Sequence, residues 1–74
     1  MERLVNINVP IPMEILLSLR TKDDEFAAQM KALTALKLCE NRKLSVGQSA
    51  ALAGMDELEF IKFLGQNKEK NDVH

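Results

Sequence analysis

Few residues in this chain could do covalent or acid–base chemistry. There is one cysteine, Cys39, and one histidine, His74. Two carboxylate pairs stand out, Asp23/Asp24 and Asp56/Glu57. Catalysis needs polar groups that converge in a pocket, a nucleophile beside a base and a third group to orient them. Cys39 lies inside an apolar helical pattern, with no base at a useful spacing, and reads as a small core residue. His74 is terminal. Both acidic pairs fall where a helix should start, and an N-terminal turn accounts for them without chemistry. No glycine-rich phosphate loop and no metal-ligand spacing occurs. The reading is therefore a protein that is not an enzyme, needs no cofactor or metal, and takes no small-molecule substrate.

Charge bears on binding. The 74 residues carry a formal net charge of −1, so bulk charge does not call for a nucleic acid. Its distribution is uneven: Lys31, Lys37, Arg42 and Lys43 form a basic stretch between the acidic 23–25 and 56–59 segments. A lone cysteine excludes an intramolecular disulfide and points to the cytoplasm. No basic-then-apolar leader is present, and no apolar run approaches the roughly 20 residues of a membrane span.

The elements that position these residues follow from periodicity and punctuation. Residues 3–9 alternate, with Val5, Ile7 and Val9 on one side and Leu4, Asn6 and Asn8 on the other, which reads as a half-buried strand ended by Pro10. No second strand follows, so a buried strand here would have to pair with its copy in another chain. That argument predicts a homodimer joined through the N-terminal strand. Pro12 can open a short helix over 12–20. A helix over 24–41, capped by Asp23 or Asp24, shows apolar residues around well over half its circumference and should be the centre of the fold.

The last two helices are the most clearly punctuated. Ser45 with Gln48 three residues on is a capping box, and Gly54 is a left-handed stop. Asp56 with Glu59 is a second box, and Gly65 a second stop. Helices over 45–53 and 56–64 around a glycine turn read as a helix-turn-helix. Its framework is Ser45, Gln48, Ala50, Gly54, Met55, Phe60 and Leu64. The fold class is thus mainly α: one N-terminal strand, then three or four helices, in a single domain over 1–65, with 66–74 a flexible polar tail.

Two routes to DNA are written in this pattern. The second helix of the motif offers Lys62, its only cation, with Arg42 and Lys43 in the preceding link. Asp56, Glu57 and Glu59 stand at the end that should approach phosphate, which opposes binding. Alternatively, a strand followed by two helices is the order of the ribbon-helix-helix repressors. Asn6 and Asn8 would then face outward, and asparagine can bond adenine twice. For a protein partner, Leu58 is the candidate contact on the outer side of the last helix.

The same segments carry a family resemblance. Val-Pro-Ile-Pro near the start, Ala-Leu-Lys-Leu-Cys-Glu over 35–40, Lys-Leu-Ser-Val-Gly-Gln-Ser-Ala-Ala-Leu-Ala-Gly-Met over 43–55 and Glu-Phe-Ile-Lys-Phe-Leu-Gly over 59–65 resemble one small prokaryotic family. Its members are described as uncharacterised or as type II antitoxins, often beside a toxin resembling a PIN-domain ribonuclease. The resemblance spans 3–65 and is most specific at 44–55. It implies an antitoxin that binds and neutralises a toxin and also represses its own operon. The alternatives are a DNA-binding transcriptional repressor and a small protein-interaction module. Similar members carry a serine and a basic residue after Gly-Met, where this chain has Asp56 and Glu57.

Overall fold

The computed structural model describes residues 3–71, and their side chains as far as Asn67. Four helices follow one another: α1 (Met13–Leu19), α2 (Asp23–Glu40), α3 (Val46–Ala53) and α4 (Glu57–Asn71). Helix α3 packs on α2 on one side and on α4 on the other.

The strand expected over 3–9 is not there. Residues 3–12 run extended without a ladder, and no strand occurs among the described residues. A strand needs a neighbour to take its N–H and C=O groups, and this chain supplies none. Water takes that place, since every residue from 3 to 10 is exposed. The alternation misled because it implied a buried face, yet Val5 and Ile7 are 81% and 79% exposed. With the strand goes the ribbon that would have carried Asn6 and Asn8, and the strand pairing on which the homodimer was argued.

The first three helices end by one device. After α1, Arg20 N–H donates to Leu17 O and Thr21 N–H to Leu16 O. After α2, Arg42 N–H donates to Cys39 O and Lys43 N–H to Leu38 O. After α3, Gly54 N–H donates to Ala51 O and Met55 N–H to Ala50 O. Each pair is a Schellman motif, and each puts one residue in the left-handed region: Arg20 at φ 54°, Arg42 at 60° and Gly54 at 74°. Only Gly54 is of the type that adopts this conformation freely. Gly65, by contrast, has no positive φ and stops nothing. Helix α4 runs through it to Asn71, and the Asn67 side chain donates to Phe63 O at 2.8 Å.

The helix starts show how side chains replace missing backbone bonds. Ser45 Oγ accepts from Gln48 N–H at 3.1 Å, while Gln48 Oε1 accepts from Ser45 N–H at 3.0 Å. Asp56 Oδ1 accepts from Glu59 N–H at 2.8 Å, and Glu59 Oε1 from Asp56 N–H at 3.0 Å. Helix α2 departs from expectation. Lys22 is its N-cap, and an ammonium has no acceptor to offer. Only the returning half of the box forms, with Glu25 Oε1 accepting from Lys22 N–H at 3.1 Å.

The core is small and made of small residues. Ala32 and Ala35 of α2, Ala50 and Ala53 of α3, and Phe60 of α4 form one buried cluster. Alanines at both sides of the α2–α3 crossing let the two backbones approach closely. Phe60, fully buried, is the one large side chain in the cluster, and Phe63 packs on it at 6.2 Å between ring centres. Ser49 is also fully buried, and its hydroxyl donates to Ser45 O at 2.7 Å, so it leaves no unmet polar group. No residue of α1 is buried. Helix α2 buries one side rather than the broad apolar circumference its sequence suggested, and Leu33 remains 48% exposed.

Candidate interaction surfaces

The expected framework residues of the α3–α4 unit hold distinct posts. Ser45 and Gln48 close the first capping box, Ala50 and Phe60 are buried, Met55 and Leu64 are half-buried, and Gly54 makes the turn. Gly54, Met55 and Asp56 alone join the two helices. This element order and turn length are those of a helix-turn-helix.

The expected phosphate contacts do not gather on that unit. Lys62 is exposed on α4, whereas Arg42 and Lys43 lie in the exposed turn between α2 and α3, next to exposed Lys37 in the last turn of α2. Asn6 and Asn8 are exposed on the extended arm. The structure thus groups Arg42 with Lys43 and Lys37, and leaves the asparagines on a separate element.

The acidic start of α4 is engaged within the chain. Asp56 and Glu59 are spent on the capping box. Glu57 reaches across to α3: its Oε2 lies 3.1 Å from the point where a Cβ on Gly47 would stand. Gly47 is in the first turn of α3, so the Glu57 carboxylate lies beside the start of that helix. A bare glycine there makes room for it. The spacing of Gly47 and Glu57 carries no sequence signal, and this contact was not foreseen.

Apolar surface is the other feature that sequence reasoning underrated. Leu58, the expected partner contact, is 64% exposed, and Ile61, one helical turn on, is 49% exposed. They form a short apolar stripe on α4 among Glu57, Glu59 and Lys62. A second apolar surface is the arm and α1, where Leu4, Val5, Ile7, Val9, Met13 and Leu17 are all exposed. A third is an open groove of about 1010 Å³ whose lining includes Ala28, Ala32 and Leu33 of α2 and Met55 and Phe63 of the α3–α4 unit. Among the described residues no group of three or more His, Cys, Asp or Glu side chains could hold a metal ion. No helix among them is long and apolar enough to cross a membrane.

The fold and surfaces define a small helical protein whose exposed features are apolar faces and a basic turn rather than a pocket of reactive groups. Residues 1–73 match the model of the uncharacterised protein family UPF0175, and the chain belongs to that family. This agrees with the resemblance drawn from its motifs. No curated protein and no solved structure matches the chain.

Proposed function

We propose that this chain is a cytoplasmic regulatory protein of the antitoxin kind, which neutralises a partner protein by covering part of its surface. It acts by binding and not by catalysis. The observation that carries this reading is the stripe of Leu58 and Ile61 on the outer side of α4. The opposite side of the same helix is anchored by buried Phe60 and half-buried Phe63 and Leu64, so the stripe is presented on a fixed support. Exposed apolar pairs rimmed by charge are the usual make-up of a protein-binding patch. The resemblance in the 44–55 segment supports the kind of partner, a PIN-like ribonuclease toxin.

The test is co-expression of the chain with the product of the adjacent gene. The two should co-purify, and Leu58→Asp should abolish the complex while leaving thermal stability unchanged, since Leu58 is outside the core. A complex that survives Leu58→Asp and Ile61→Asp together would remove α4 as the contact.

A second role, DNA-binding autoregulation, is favoured by one observation, the exposed Arg42–Lys43 turn with Lys37 beside it. In this reading phosphate meets the α2–α3 turn. Promoter binding should then fall steeply with salt. Arg42→Ala with Lys43→Ala should weaken it far more than Lys62→Ala does.

A further inference from the structure

We propose that the partner protein covers α4 with a helix of its own, which crosses α4 at Gly65. This rests on reading the Leu58–Ile61 stripe as the partner contact, and adds the shape and chemistry of what lies on it.

Gly65 serves no contact of its own chain. It stands well inside α4, is exposed, and has no positive φ. A Cβ there would meet no atom within 4 Å among the described residues. The other two glycines each have a post: Gly54 takes the left-handed turn, and Gly47 leaves room for Glu57. Glycine inside a helix weakens it relative to alanine, and here the fold gains nothing in return. What such a glycine provides is bare backbone on which a second backbone can lie close.

Its position joins it to the stripe. Successive residues of a helix turn by about 100°. Leu58, Ile61 and Gly65 therefore fall within about 60° of one another, along about 10 Å of helix. Phe60 and Phe63, which hold α4 to the core, lie on the other side. Exposed Leu58 and Ile61, followed by exposed Gly65, form a row one side chain wide. A flat or concave partner surface would need a broader apolar face. A row at this three-and-four spacing is the seam along which one helix packs on another. Helix axes in such packings lie roughly 8–10 Å apart, and glycine at the crossing brings them to the near end of that range. Helix α4 continues past Gly65 to Asn71, so the crossing falls within the rod and not at its tip.

Charge sets the edge. Lys62 is exposed beside Ile61 and borders the seam, at the position that makes ion pairs between packed helices. Glu57, on the other border, leans toward Gly47 of its own chain. The partner helix is therefore amphipathic, with a bulky apolar residue over Gly65 and a carboxylate facing Lys62.

The probe is the purified product of the adjacent gene. Gly65→Ala should raise the melting midpoint of the free chain by about 4–8 °C. It should at the same time weaken the complex about tenfold, since the methyl stands where the partner backbone belongs. Gly65→Leu should weaken the complex about a hundredfold, with the free chain no less stable than the parent. Lys62→Glu should weaken it more at low salt than at high salt. On the partner, alanine substitutions along the segment that hydrogen exchange finds protected in the complex should cost affinity at every third or fourth residue. A complex that Leu58→Asp abolishes and Gly65→Leu leaves within about twofold of the parent keeps the antitoxin reading and overturns the crossing. A period of two in the partner scan puts a strand on the stripe, and a free chain that dimerises until Gly65→Leu is introduced puts a second copy there; either overturns the proposal. No complex with the parent chain removes the antitoxin reading, and the helix crossing with it.

Discussion

Phe60→Ala is the substitution on which the account of the core stands or falls. Phe60 is fully buried and is the one large side chain among Ala32, Ala35, Ala50 and Ala53. Alanine has no side-chain torsion through which it could move into a vacated space, so the four alanines around the ring cannot refill it. The cavity left by the ring should therefore stay open. Phe→Ala at buried sites costs about 3–5 kcal/mol, with the upper part of that range belonging to sites that cannot collapse. A domain of this length has a total stability of roughly 4–11 kcal/mol, so the variant should lose from about a quarter of that stability to all of it. Phe60→Leu keeps most of the volume and should cost under about 1.5 kcal/mol. Phe63→Ala, at a half-buried position, should fall between the two. The chain contains no Trp and no Tyr, so unfolding in urea is followed by far-ultraviolet circular dichroism. All variants are compared at one chain concentration. A loss below about 1.5 kcal/mol for Phe60→Ala would refute the reasoning, since that is what a collapsing site gives. A loss for Phe63→Ala as large as that for Phe60→Ala would refute it too.

Three further variants probe the turns. Gly54→Ala places a Cβ at φ 74° with nothing within 4 Å of it, so the whole cost is backbone strain of about 1–2 kcal/mol; Gly54→Asn should recover part of it in the same urea titration. Arg42→Gly relieves a left-handed arginine at φ 60° and should raise stability by about 0.5–1 kcal/mol after the entropy of glycine is counted, with an unchanged helical spectrum. Gly47→Ala gains helix propensity but pushes against Glu57 Oε2 at 3.1 Å, the free end of a flexible side chain. Its effect should lie within about 0.5 kcal/mol of zero, and it should become clearly stabilising in a Glu57→Ala background, which thermal melts of the four chains in the cycle will show.

Legibility in the sequence followed the strength of the local chemical signal. The capping boxes at Ser45–Gln48 and Asp56–Glu59 could be read because a side-chain acceptor three residues from its partner has one good use at a helix start. Gly54 could be read because glycine is the residue that takes a left-handed turn cheaply. The same turn at Arg20 and Arg42 was invisible, because arginine gives no sign of positive φ. There the conformation goes with the Schellman hydrogen bonds that close each helix. Gly65 shows the converse error: a glycine in a helical pattern suggests a stop, but without a positive φ it is merely a weak helix former inside α4. The strand over 3–9 failed for a different reason. Alternation reports that one side of a segment could be buried, and says nothing about whether a neighbour exists to bury it. The contact of Glu57 with the first turn of α3 depends on how two helices cross, and no spacing in the sequence encodes that.

That contact changes what the charges on α4 mean. Read from the sequence, Asp56, Glu57 and Glu59 oppose DNA because they sit where the second helix of a helix-turn-helix would approach phosphate. In the fold two of them accept from backbone N–H groups and the third lies beside Gly47 in the first turn of α3. Removing them would therefore not convert α4 into a DNA-reading helix. It would uncap α4, and stability would fall before any affinity appeared. Three of the ten Lys and Arg residues, Lys37, Arg42 and Lys43, lie instead in the last turn of α2 and in the turn after it, and all three are exposed. The proposed nucleic-acid contact is that turn, and the proposed protein contact is the apolar stripe of α4. The two roles proposed for this chain therefore use different surfaces, and a charge change at 42–43 should leave partner capture intact just as Leu58→Asp should leave salt-sensitive DNA retention intact.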